Sequence, residues 1–195
     1  MSMSALPRNR LRTAIGLLLS AYGLWSLIGI LGAARHGAAF PSDVFRAGAS
    51  EFPGWCPILP LLFSRPFVQG GIYLGWMAKA VLVPAGVGTA AGHRPSMRLA
   101  IAALVLLAAL AVLIGGPTSV ALGAGWVSVE WEQWARHFDS PVPAETAERY
   151  LRLYGLLALL GVFVTALVDV AIAVCLWRDL VRSRGAATPP ARGPV

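Results

Sequence analysis

The stretch LYGLLALLGVFVTALVDVAIAVCLW, residues 153–177, runs for 25 residues with one charge, Asp169. At 1.5 Å per residue an α-helix of that length crosses a hydrocarbon core about 30 Å thick. It decides the fold class, because a segment inside a bilayer must satisfy its backbone polar groups internally, as a helix does. Three other stretches share its character: residues 13–34, 67–88 and 99–122. The sequence therefore predicts an all-α integral membrane protein, a four-transmembrane-helix bundle, as one domain over residues 1–180. A disordered cytoplasmic tail is expected over 181–195, where proline, glycine and arginine dominate.

Composition agrees. Hydrophobic residues make up 57% of the 195-residue chain and charged ones 13%, about half the charged share of a soluble domain. The net charge of +7 raises the question of nucleic acid, but the arginines cluster near the ends of apolar runs and in the tails. That is a membrane-flank pattern, not a basic face interleaved with aromatics. Fifteen arginines against one lysine, with abundant Ala, Gly and Pro, suggest a GC-rich bacterial genome and hence a bacterial inner membrane.

The segments carry their own punctuation. Gly32-Ala33-Ala34 resembles a signal-peptide cleavage site, but the run before it exceeds the roughly 7–15 apolar residues of such leaders, which favours an uncleaved span. Pro84 should kink or end the second span, since it cannot donate a backbone hydrogen bond. Gly115-Gly116-Pro117 should break or kink the third. The loop over residues 35–66 has an apolar, proline-rich centre from Phe52 to Phe63, too short to cross and expected at the headgroups or packed across the helix ends. Trp126, Trp131, Trp134 and Phe138, mixed with Glu130, Glu132 and Arg136, predict an interfacial aromatic helix on the outer side. The short basic loop at His93 and Arg94 sets spans two and three side by side and antiparallel.

Orientation follows from arginine. One side of a four-span chain carries nine, at 8, 10, 12, 94, 98, 178, 182, 184 and 192; the other carries six. Both termini are expected in the cytoplasm.

Two lone charges stand out. Lys79 is the only charge between Arg65 and Arg94, and Asp169 the only one between Arg152 and Arg178. A lone charge at mid-membrane costs about 2.5–3.5 kcal/mol on the insertion scale, so it usually faces a partner or a hydrated cavity. Gly71, Gly75 and Lys79 share one helix face; Gly161, Thr165, Asp169 and Ala173 share another. Small residues at such spacing let helices approach closely in lipid. The expectation is an intramembrane charge pair, Lys79 with Asp169, flanked by packing stripes. Their depths differ by about 6 Å, within the reach of a lysine stem. The pair reads as a structural ion pair that fixes register, as two independent charges, or as a proton- or substrate-handling site.

Other chemistry is thin. His36, His93 and His137 show no HxxxH or HExxH spacing, and no mid-span histidine pair exists to hold a haem. Cys56 and Cys175 form no CxxC and should lie on opposite sides of the membrane. No phosphate-cradling loop, catalytic serine motif or nucleotide signature is present. No catalytic residue, cofactor or metal is assigned.

Three classes of function remain. The first is a small non-enzymatic membrane protein, an accessory or scaffold subunit whose partners are the lipid bilayer and another membrane protein or a second copy. The second is a transporter or channel using Lys79 and Asp169. The third is a lipid-modifying membrane enzyme using carboxylates and histidines of the outer loops.

Overall fold

The computed structural model describes residues 10–35, 45–46, 65–124, 128–129 and 144–185. Within them run α1 (Arg10–Arg35), α2 (Arg65–Ala90), α3 (Arg94–Leu110), a π-helical turn (Ala111–Gly115), α4 (Gly116–Gly123) and α5 (Ala144–Gly185). A two-residue antiparallel ladder pairs β1 (Phe45–Arg46) with β2 (Ser128–Val129), Phe45 opposite Val129 and Arg46 opposite Ser128. The proline-rich segment around Phe52–Phe63, His36, His137, Cys56 and residues beyond 185 lie outside the described residues.

Four helical segments are long and apolar enough to cross a membrane: Arg10–Leu31, Gly70–Ala90, Arg94–Ala121 and Gly155–Ser183. Only 17–33% of their most apolar windows is buried. Leu17, Leu18, Trp25, Leu31, Leu160 and Leu167 are each more than half exposed. Apolar surface so extensive is unfavourable in water and suited to lipid, which points to a multi-pass membrane protein.

The helices overrun the apolar stretches that announce them. α5 begins at Ala144 and continues to Gly185, into the region expected as tail. Hydropathy marks where a helix can meet lipid, not where its backbone hydrogen bonds stop. α2 passes through Pro84 to Ala90 instead of ending there. At Gly115-Gly116-Pro117 the break takes the form of the π turn, in which the Gly116 N–H bonds to the Ala111 carbonyl, five residues back. Pro117 removes a donor just beyond it, and Thr118 Oγ1 donates to the Ile114 carbonyl, one turn back, at 2.7 Å. The aromatic stretch also departs from expectation: Ser128–Val129, expected at the head of an interfacial helix, are extended and paired with Phe45–Arg46. The ladder supplies their backbone groups with partners there. The rest of that stretch lies outside the described residues.

The turn from α2 to α3 is tight. Gly92 has φ 79°, the left-handed region that favours glycine. The His93 N–H bonds to the Gly88 carbonyl at 2.8 Å and the Gly92 N–H to the Thr89 carbonyl at 2.9 Å, a Schellman closure. α3 then starts on His93, whose carbonyl accepts from the Met97 N–H at 3.1 Å. Pro95 sits in the first turn, where a missing N–H costs nothing.

Contacts divide the chain into two compact units. One gathers the described parts of Met1–Leu27, Met77–Leu107 and Val168–Val195. Its core joins Leu19, Leu82, Met97, Leu104, Leu176 and Leu180, among others. The second gathers the described parts of Ile28–Trp76 and Ala108–Leu167. Glycine contacts shape it: a Cβ on Gly155 would come within 2.5 Å of the Gly123 nitrogen, and one on Gly115 within 2.9 Å of Val162. Tyr73 and Trp76 meet edge to face there, ring centroids 5.6 Å apart.

Candidate functional site

Lys79 and Asp169 both belong to the first unit. The buried residues of α5 recur at Ala166, Asp169, Ala173, Leu176 and Leu180, alternate steps of three and four that place Asp169 in the stripe turned inward. Asp169 is 5% exposed, and its Oδ2 has no hydrogen-bond partner among the described residues. Lys79, on α2, is half-buried and near enough to act electrostatically on Asp169. The two do not close to a salt bridge within 4 Å. Tyr22 of α1 also lies within electrostatic range of Asp169. α1 approaches α2 at this level through Gly23, where a Cβ would come within 2.6 Å of the Lys79 carbonyl oxygen.

The flanking small residues separate. Gly71 and Gly75 face the third apolar segment: a Cβ on Gly71 would overlap Ile114, and one on Gly75 would touch Leu110 at 3.9 Å. The tight turn at Gly92 folds α3 back on α2, so α3 takes the position the spacing had offered to the fourth span. Gly161 is exposed with nothing within 4 Å of a Cβ, and Thr165 is exposed too. Of the small residues in that stripe Ala173 is packed, 5% exposed in the core of the first unit.

A polar cluster that the sequence did not announce gathers four helix ends in the same unit. Arg12 Nη1 donates to Asp179 Oδ2 at 3.3 Å, joining the start of α1 to the end of α5. Thr13 Oγ1 donates to the Ala90 carbonyl at the end of α2 at 3.4 Å. Arg94 Nη2, at the start of α3, donates to the Ser183 carbonyl at 3.2 Å, and the Ser183 hydroxyl donates to the Asp179 carbonyl. Deeper along α1, Ser20 Oγ donates to the Val83 carbonyl at 2.9 Å. The helices can come this close because Gly16 and Gly86 face each other's backbones, at 2.5 Å for an added Cβ.

The signal for this cluster was present but weak. Arg12, Gly16, Leu19 and Gly23 are all buried, and their spacing of four, three and four residues marks one face of α1. Flanking arginines carry the topology signal, which hid Arg12's place on that face.

Among the described residues, no group of three His, Cys, Asp or Glu side chains converges. His93 Nδ1 and Ser96 Oγ share a hydrogen bond of 2.8 Å in the turn, and Cys175 is an exposed free thiol. An open groove along α1, lined by Arg10, Thr13, Ala14 and Leu17, sets a cation and a hydroxyl above apolar carbon. That is the pattern of a headgroup–chain boundary. Comparison with protein-family models, curated proteins and solved structures finds no match to the chain.

Proposed function

We propose that the chain is a small non-enzymatic protein of the bacterial inner membrane, an accessory or scaffold subunit of a membrane complex. In this reading its four spans form a bundle with both termini cytoplasmic, as the arginine count favours. One observation carries it. Five polar contacts in the first unit tie helix to helix or cap a turn: Arg12 to Asp179, Thr13 to Ala90, Ser20 to Val83, Arg94 to Ser183, His93 to Ser96. They hold a shape; they do not converge on a place where a substrate would react. Such a shape leaves apolar helix surface free for lipid and for a neighbouring membrane helix.

The test is extraction of the tagged full chain in mild detergent. The expected result is a complex with a second subunit at fixed stoichiometry. Gly161→Leu, on a face where an added Cβ meets nothing within 4 Å, sheds that subunit without lowering thermal stability. Recovery of the chain alone, as a single monomeric species, would overturn the reading. A complex of this chain only would make the partner a second copy.

A transporter or channel is the second reading, and Asp169 favours it. A buried carboxylate with an unpartnered oxygen in an apolar segment is where transport proteins handle ions.

A further inference from the structure

Asp169 stands at the centre of its apolar segment Gly155–Ser183, fourteen residues from either end. Lys79 stands near the centre of Gly70–Ala90, nine residues from its start. Both charges therefore sit at or near the middle of their apolar segments. Asp169 is 5% exposed within the protein itself, so lipid is not needed to shield it. Among the described residues its Oδ2 accepts no hydrogen bond, and Lys79 stays beyond salt-bridge distance.

An ionised carboxylate so placed is largely shut off from bulk water and has no salt-bridge partner among the described residues, an arrangement that costs several kcal/mol. The same carboxyl with a proton bound is far cheaper to bury. We propose that Asp169 is an intramembrane proton-binding site that exchanges its proton with water. In release, the carboxyl O–H bond breaks, the proton passes to a water molecule, and the carboxylate remains facing the Lys79 ammonium. Uptake from hydronium reverses each step.

The surrounding groups are few. α1 contributes Tyr22, whose hydroxyl lies within electrostatic range, and α2 contributes Lys79. Along α3 the charged residues are Arg94 and Arg98 at its start, and α5 itself carries Cys175, Arg178, Asp179, Arg182 and Arg184 toward its end. Lys79 is thus the cation that compensates Asp169 once the proton has left. The inference stands apart from the subunit reading, since a scaffold and a transporter can each bind a proton here.

Infrared spectroscopy of the full chain in phosphatidylcholine vesicles tests it, with the proton itself as the probe. The expected result is a protonated-carboxyl C=O band that disappears as pH is raised and shifts in D2O. The band is lost in Asp169→Asn and changes frequency in Asp169→Glu, and Lys79→Met displaces its titration midpoint. Should Asp169→Asn fail to fold, the frequency change in Asp169→Glu assigns the band. If no titrating band depends on residue 169, the proposal fails. It fails equally if the band is present at every pH, because a carboxyl that never releases its proton exchanges nothing.

Discussion

Arg12 Nη1 lies 3.3 Å from Asp179 Oδ2, with Arg12 3% and Asp179 27% exposed. The contact joins the third residue of α1 to a residue near the end of α5, so the helices that open and close the described chain meet at those ends. With Thr13 at Ala90 and Arg94 at Ser183, the start of α1, the end of α2, the start of α3 and the end of α5 gather in one unit. That is the arrangement an even number of crossings requires.

The unequal burial of this pair predicts unequal costs. Asp179→Leu leaves the Arg12 guanidinium buried beside an apolar side chain. Arg12→Met leaves a carboxylate that water can still reach. Asp179→Leu should lower stability by about 2 kcal/mol, between the costs for exposed and fully buried pairs, and Arg12→Met by less. Thermal unfolding in detergent measures both; equal losses would mean that the burial difference has no energetic weight.

Glycines at close approaches should separate from glycines in open space. Gly16→Ala and Gly86→Ala push a methyl into facing backbone, which cannot swing aside, and should each cost about 1–3 kcal/mol. Gly29→Ala and Gly161→Ala meet nothing within 4 Å and should be neutral or stabilising by up to about 1 kcal/mol through helix propensity. Melting temperatures of the four variants check this ordering.

At the turn, Gly92→Ala forces a side chain into φ 79° and should cost about 1–2 kcal/mol. Gly92→Asn should cost less, because asparagine tolerates that region. If the two substitutions unfold at the same temperature, the backbone geometry of the α2–α3 turn is not what limits stability.

Lys79 and Asp169 should be coupled even without contact. Lys79→Met and Asp169→Leu should each destabilise the chain, and the double variant should lose less than their sum, with a coupling of about 1 kcal/mol. A reversed pair, Lys79→Asp with Asp169→Lys, should recover only part of the loss, because the long and short stems have exchanged helices. Strict additivity would show that the charges do not sense each other.

Topology reporters fused after Arg10, near Arg94 and after Arg184 should read as cytoplasmic, and one near Ser140 as exterior. If the Arg94 and Ser140 fusions report the same side, Arg94–Ala121 does not cross.

Much of the architecture was legible because it depends on local sums. Length and hydropathy over twenty residues mark a segment that can cross a bilayer, and Arg94–Ala121 and Gly155–Ser183 carry that signal at mean hydropathies of 2.8 and 2.6. The punctuation was partly legible. Gly115-Gly116-Pro117 announced an irregularity, but the form it takes, a π turn closed by the Gly116 N–H on the Ala111 carbonyl, depends on which carbonyl each donor reaches. Pro84 announced a kink or an end, and the helix continues through it to Ala90.

The sequence by itself determined four apolar helices, their order and the two isolated charges, because those follow from composition along the chain. Only the tertiary structure decided which faces meet: Arg12 with Asp179, Gly71 with Ile114, Gly16 with Gly86, while Gly161 stays open. The physical reason lies in the solvent. In water, an apolar stripe shows which side of a helix turns inward; in lipid, both sides are apolar and that signal disappears. The rotation of each helix about its axis is then fixed by close backbone approach and a few polar contacts between residues far apart in sequence.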